Sequence, residues 1–441
     1  MSPSKRYAKK HAKASQRRRL QVHERLERDR RQAQRAAEGL HQALEDLGLP
    51  ANLVVAIEGR LRSQQKLLGK MIGVMFPALF GCRTPSEVCR VRGWDKQWPS
   101  RLLGALPKRS WLKRLRRLAL EVLEPLWRHV HDKSPATQSR WQWTWVWDDS
   151  VFKKYGKQLG LVGNCWSGQH KRVLPGIAGL LLLVVIGDGR LIIPVAFAIR
   201  RPDPVGPGAP RRDKLSWARE MLDACVAAFK RRGGVLPAPM VVADSWCSDS
   251  KLMQYVSAQH QGTLLVEGKQ SYTFILANGH KVKGGDLSHG EGWQWRQSPW
   301  EPGVSYVRLR ATSPTYGEVT IVIVDEPGQD RFYLLCRATA LSAPQLIRRW
   351  RRRTWIEFVF RTLKHLLATE SCQVHSEDAY YGHLVLRLMG CFVLFYTSRV
   401  IWKGQMTMEE IIFSLKHYWR FVDSAALELQ GLSWGTERNI A

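Results

Sequence analysis

The sequence predicts an α/β protein in which a mixed sheet flanked by helices is interrupted by a β-rich insertion and preceded by an all-helical N-terminal domain. Three patterns predict it. Residues 141–149, WQWTWVWDD, alternate strictly and are aromatic and β-branched, as in a strand that ends at Asp148 and Asp149. The run from Pro239 to Asp244 is short, apolar and closed by an acid, which reads as a buried parallel strand. Between them, Leu215, Ala218, Leu222, Cys225, Val226 and Phe229 fall on one side of a helix over 213–232.

Taken in order, residues 1–35 form a basic arm, with eight basic residues and no acid in the first twenty positions. Such an arm is expected to be solvated or disordered without a polyanion. Residues 36–135 have helical spacing. Thr84-Pro85-Ser86-Glu87 is a capping box with proline in the first turn, and the short helix it opens is followed by a second from about Ser100. This fits a DNA-binding helix-turn-helix offering Arg101 and Lys108, and equally a plain helical bundle.

Residues 140–272 hold the first part of the sheet. The apolar run 176–197 is broken at Gly187-Asp188-Gly189, a hairpin turn between two buried strands. A helix over 248–260 and a strand over 263–267 complete the order strand, hairpin, strand, helix, strand, helix, strand. Residues 273–340 alternate in short segments and form the β-rich insertion, while 341–430 return to helix. The apolar segment 384–402 contains Arg387 and Arg399, so a buried amphipathic helix is expected in preference to a membrane span.

The chain carries 68 basic and 38 acidic residues, a formal net charge of +30, which points to a polyanionic partner. Its eight cysteines include no C-x-x-C pair, so neither a zinc site nor a disulfide framework is indicated. With a polar, basic N-terminus and no signal peptide, a cytoplasmic protein with reduced thiols and no membrane association is expected.

The stretch RRWRRRTWIEFVFRTLK, 348–364, concentrates this charge on a helix. At about 100° per residue, Arg353, Glu357, Arg361 and Lys364 fall within an arc of roughly 80°. Glu357 could close a capping box with Thr354, or it could join other carboxylates. Asp148 and Asp244 are placed to be those partners, at the carboxyl ends of sheet strands where α/β proteins bind ligands. Three converging carboxylates repel one another unless cations neutralise them, so such a trio points to Mg²⁺ or Mn²⁺. Two ions about 4 Å apart can activate the attacking oxygen and stabilise the leaving oxygen of a phosphodiester.

The residues then carry a resemblance. Trp350, two residues, Arg353, three residues, Glu357, six residues, Lys364 resembles the Tyr-Arg-Glu-Lys signature of the IS4-type DDE transposases, with Trp in place of the Tyr. Asp148-Asp149-Ser150, followed by Lys153-Lys154-Tyr155-Gly156-Lys157, and Val242-Ala243-Asp244-Ser245-Trp246 resemble the family's two Asp motifs. The resemblance covers about 140–400 and implies an RNase H-like catalytic domain in which Asp148, Asp244 and Glu357 are catalytic and hold, in all, two Mg²⁺ or Mn²⁺ ions. Asp149 competes with Asp148 for the first role, although the family pattern of Asp, any residue, Ser or Thr is met only from Asp148.

The resemblance further implies that Arg353 and Lys364 hold phosphates. Arg361 shares their face, and Trp350 can stack or donate through its one nitrogen but cannot copy a tyrosine hydroxyl. One of Trp293, Trp295 and Trp300 would be the aromatic offered to a flipped base, against inner-face packing for each. The activity implied is cut-and-paste DNA transposition on terminal inverted repeats and target DNA. Water hydrolyses one strand, and the freed 3′ hydroxyl then attacks across the duplex or in target DNA. A homodimer pairing two ends, in a bacterial, nucleoid-associated setting, is expected. The rivals are a non-catalytic DNA-binding transposase relative and an RNase H-like nuclease that only hydrolyses.

Overall fold

The computed structural model describes residues 3–49, 67–131, 133, 142–155, 159–168, 170–200, 213–232, 238–287, 289–290, 292–337 and 339–421. Residues 3–46 form one helix, α1 (Pro3–Asp46), so the basic arm continues without a break into the helical region. Its last turns bury Ala36, Leu40, Ala43 and Leu44, and Leu47 just past its end is buried with them. After α2 (Leu67–Met75), helix α3 (Pro85–Val91) opens on the expected box: Thr84 accepts from the Glu87 N–H, and Glu87 accepts from the Thr84 N–H. Helix α4 (Trp98–Gly104) buries Trp98, Leu102 and Leu103, and α5 (Lys108–His131) follows. Arg101 is paired with Asp95, and Lys108 lies 2.7 Å from Glu377, so both cations offered to DNA already face acids.

The central strand is β1 (Trp143–Lys153), which runs four residues past Asp149, where its alternation stops. Trp143, Trp145, Val146 and Trp147 are all buried, since this strand is covered on both faces. β2 (Gly163–Ser167) pairs with the start of β3 (Arg172–Ile186), and β3 runs antiparallel to β1 from Trp143↔Ile186 to Lys153↔Gly176. β4 (Leu191–Ile199) returns along β3 through the Gly187-Asp188-Gly189 turn. Helix α6 (Lys214–Lys230) leads to β5 (Met240–Ala243), parallel to β1, and α7 (Ser250–His260) leads to β6 (Thr263–Glu267), parallel to β5.

The β-rich segment is part of this same sheet. β7 (Thr273–Leu276), β8 (Lys281–Lys283), the turn α8 (Gly284–Leu287), β9 (Arg296–Gln297), β10 (Ser305–Ser313) and β11 (Gly317–Asp325) precede β12 (Phe332–Arg337). β12 pairs with β6, giving the order β2-β3-β1-β5-β6-β12-β11-β10-β7-β8. Alternation marks β10, β11 and β12 but not β7, runs the strand from Lys281 on to Leu287 where the structure turns into a helix at Gly284, and gives no sign of the neighbour that β12 would find.

Helices α9 (Ala343–Arg351) and α10 (Thr354–Arg361) then lie against the sheet, followed by α11 (Glu377–Tyr396) and α12 (Met408–Phe421). The segment Glu377–Ile401 is long and apolar enough to cross a membrane, yet 78% of its most apolar window is buried inside the protein. Arg387 within it is fully buried and donates to the Met75 carbonyl at 2.8 Å.

The turn before β4 positions the site. Gly189 adopts φ +81°, and a Cβ there would stand 2.2 Å from the Trp355 ring. Gly189→Ala is therefore expected to lower unfolding free energy by about 2–4 kcal/mol, combining left-handed strain with displacement of a packed indole. Urea unfolding would show it, and a loss under 0.5 kcal/mol would mean that Trp355 moves freely.

Candidate active site

Hydrogen-bond register brings the first acids together. Trp147 is opposite Ala243 and Ala243 is opposite Val266, so the next residues, Asp148, Asp244 and Glu267, stand in a row across β1, β5 and β6. Successive side chains alternate faces, which separates Asp148 from Asp149. Both Asp149 carboxylate oxygens accept from the Lys214 ammonium, at 2.8 and 2.9 Å. Asp148 and Asp244 share a different cation.

That cation comes from the arginine-rich stretch, which is two helices rather than one. Ser342 and Gln345 form a capping box at the start of α9, and the chain turns at Arg352-Arg353 before α10. The Thr354 hydroxyl donates to the Arg351 carbonyl at 2.9 Å, so Thr354 does not cap Glu357. Most of the arginines here are tethers. Arg348 chelates Asp188 of the β3–β4 turn. Arg349 donates to the Trp143 carbonyl at 2.5 Å and Thr144 Oγ1 at 3.1 Å; burial lowers its pKa to about 9. Arg351 binds Glu326 and, at 3.0 Å, Glu301. Arg352, 2% exposed, donates to Thr144 Oγ1 at 2.7 Å and the Gln142 carbonyl at 3.0 Å. These bonds lock α9 and the residue after it to β1, to the β3–β4 turn and to the β-rich segment.

Arg353 points the other way. Its Nη1 lies 3.5 Å from Asp148 Oδ2 and 3.7 Å from Asp244 Oδ2, while Nη2 lies 3.1 Å from Glu357 Oε1. One guanidinium meets three carboxylates. Asp148 is the most enclosed, and burial pushes its carboxyl up to about 7; Arg353 and the Asp149 N–H oppose the rise, whereas the charges of Asp149 and Asp244 add to it. Glu267 is also raised, first by burial and then by Asp244, with Arg353 opposing. The sequence showed Glu267 only as a strand end; its register with Asp244 was the signal that could have found it.

The remaining residues of the signature lie elsewhere. Trp350 is buried at 7% exposure with the Arg353 guanidinium 5.2 Å over its ring, so it supports the arginine from beneath instead of facing a ligand. Lys364 lies in a π-helical turn, Thr362–Leu366, with its ammonium 5.7 Å over Phe152. Phe152 is four strand residues from Asp148, about 13 Å along β1. Burial lowers the Lys364 pKa; Glu370 opposes this and Lys153 adds to it. Arg361 is exposed and stacks over Phe358 at 4.7 Å. Of the three tryptophans, Trp293 and Trp295 are half-buried, with Arg331 over Trp295 at 5.0 Å, and Trp300 is 49% exposed beneath Arg348 at 5.5 Å.

No family model matches the chain, and no curated protein matches it. Among solved structures, the cryo-EM structure of a piggyBac transposase synaptic complex with hairpin DNA is similar over 66% of this chain and 55% of that chain, at 10% identity and a TM-score of 0.37. This chain thus spans about half the length of that one.

The donor set suits a hard divalent cation in chemistry, because it offers carboxylate oxygens from three side chains, one of them enclosed. Its present spacing suits a guanidinium: among the described residues no three His, Cys, Asp or Glu side chains are close enough to hold a metal ion as they stand. Were a divalent ion to bind among these acids, Glu267→Gln would remove a neighbouring negative charge and weaken Mn²⁺ uptake about 3- to 10-fold, with little change in thermal midpoint. Calorimetric titration measures it, and unchanged affinity would place Glu267 outside the site.

Proposed function

We propose that the chain is a DDE-type DNA transposase, a metal-dependent enzyme that cuts at the ends of a DNA element and joins them to target DNA. The observation that carries this reading is the meeting of Asp148, Asp244 and Glu357 around one point, with Arg353 and Glu357 spaced as in the IS4-type signature. The net charge of +30 supports a polyanionic substrate.

In this reading Asp148, Asp244 and Glu357 would hold two Mg²⁺ or Mn²⁺ ions, which would supply Lewis-acid stabilisation of the developing negative charge. Water forms a bond to phosphorus, the bond from phosphorus to the 3′ oxygen breaks, and the 3′ oxygen leaves as a hydroxyl. That hydroxyl then attacks a second phosphodiester, releasing another 3′ oxygen. Asp148, once deprotonated, accepts positive charge in a shielded position. Arg353 is close enough to the carboxylates to hold a phosphate oxygen beside them. Lys364, farther along β1, would hold the backbone of the same DNA at a distance from the reacting bond. Two copies would pair two ends.

The test uses full-length protein, duplex DNA carrying the inverted repeats that flank its gene, and a plasmid target with Mg²⁺. Nicking followed by joined products is expected, with both lost in Asp148→Asn, Asp244→Asn and Glu357→Gln. Nicking without joining would leave a nuclease that only hydrolyses. Binding with neither would leave a DNA-binding protein, and variants that cut like the parent would end this reading.

A further inference from the structure

The carboxylate site already contains a cation, and it belongs to the chain. The terminal nitrogens of Arg353 reach Asp148, Asp244 and Glu357 at 3.5, 3.7 and 3.1 Å, so the guanidinium spans the space between three acids from two strands and a helix. Only the Glu357 contact has ordinary hydrogen-bond length. Compare Arg352 beside it, which is 2% exposed and held by bonds of 2.7 and 3.0 Å. Arg353 is 21% exposed at its side chain and held mainly by charge. The Trp350 ring beneath it, 5.2 Å away, gives the guanidinium an aromatic face to rest on.

A guanidinium and a divalent ion cannot share so small a space, because their charges repel at contact distance. The spacing of the acids leads to the same point: with Arg353 between them, no three are near enough to hold an ion. Building on the transposase reading, we infer that Arg353 is a gate, the resident counter-cation of the metal site, which leaves when a DNA phosphate draws it away. Metal then loads onto the enzyme after DNA, which keeps a hydrolytic site closed until its substrate is present. A phosphate diester suits this exchange, since it offers paired anionic oxygens to the same fork of N–H donors that now faces carboxylates. The tethered arginines Arg348, Arg349, Arg351 and Arg352 all precede Arg353 and share no bond with it, so its side chain can leave the acids without breaking theirs.

The experiment measures Mn²⁺ binding to full-length protein by the loss of the free Mn²⁺ paramagnetic resonance signal. It is run with and without a 20- to 30-base-pair duplex oligonucleotide, about the length such a protein would cover, whose own Mn²⁺ uptake is subtracted. Arg353→Gln is expected to bind Mn²⁺ at least about tenfold more tightly than the parent without DNA, a difference of about 1.4 kcal/mol. Duplex DNA is expected to close that gap by tightening the parent. Arg353→Lys, which keeps the charge but not the fork, is expected to fall between them and serves if Arg353→Gln does not fold. Equal or weaker binding by both variants would overturn the gate, as would a gap that DNA leaves unchanged. Asp148→Asn and Asp244→Asn separate the two ideas: if they bind Mn²⁺ like the parent the metal site itself is wrong, whereas if they lose it and Arg353→Gln gains nothing, only the gate is.

Discussion

Asp148→Asn is expected to lower Mg²⁺-dependent strand cleavage by a factor on the order of 10³ or more, which corresponds to roughly 4 kcal/mol of transition-state stabilisation. Asparagine keeps the shape and the bond from the Asp149 N–H, so the sheet should be undisturbed. What disappears is the charge of the most enclosed acid of the trio. Its neighbour gives the contrast. Asp149 is engaged by Lys214, so Asp149→Asn should cost less cleavage and more stability, since a half-buried ammonium loses its carboxylate. Single-turnover nicking on duplex DNA decides the order, and equal losses for the two variants would mean that either acid can serve.

The second large effect is on stability and pH. In the folded protein Asp148 titrates at about 7, against an ordinary 3.8, so between those values the folded chain keeps a proton that the unfolded chain has released. Stability linked to this group is fully present below about 3.8, falls as pH rises and has been lost once the pH passes about 7. At 1.36 kcal/mol per pH unit the change is roughly 4 kcal/mol as an upper bound. Asp148→Asn has nothing to titrate, so it should overtake the parent progressively from pH 4 to pH 7 and hold its advantage above that, in about the same window. Urea unfolding without divalent ions measures this, and a constant difference across the range would show that Asp148 is ionised throughout. Mn²⁺ uptake by the parent should strengthen over the same interval, because the ion requires the carboxylate.

Much of this was visible in the residues. The alternating tryptophans marked β1, the short apolar run marked β5, and the Gly187-Asp188-Gly189 turn was recognisable by composition, all because backbone geometry and burial act locally. The arginine run was not readable in the same way. Its cations look like a DNA-binding face, yet Arg348, Arg349, Arg351 and Arg352 are occupied by Asp188, Thr144, Glu301 and Glu326, whose positions in the chain say nothing about distance in space. The single helical face expected for Arg353, Glu357, Arg361 and Lys364 also assumed 100° per residue throughout. A break at Arg352-Arg353 and the π-helical turn from Thr362 change that angle, so Lys364 sits near Phe152 and Glu370 rather than beside the carboxylates.

The placement of the three acids divides the site mechanically. Asp148 lies within β1 and Asp244 directly follows β5, each one residue past the last β1–β5 pair, Trp147↔Ala243, which holds the two acids near strand spacing. Glu357 rides on an eight-residue helix that begins after a break and ends in a π-helical turn, the two places where a helix yields most easily. The site therefore has one fixed jaw and one hinged jaw. On the proposed function, adjustment to the thickness or bend of a duplex would come from the Glu357 side, and substitutions at the two ends of that helix would alter which DNA shapes are accepted while Asp148 and Asp244 keep their spacing.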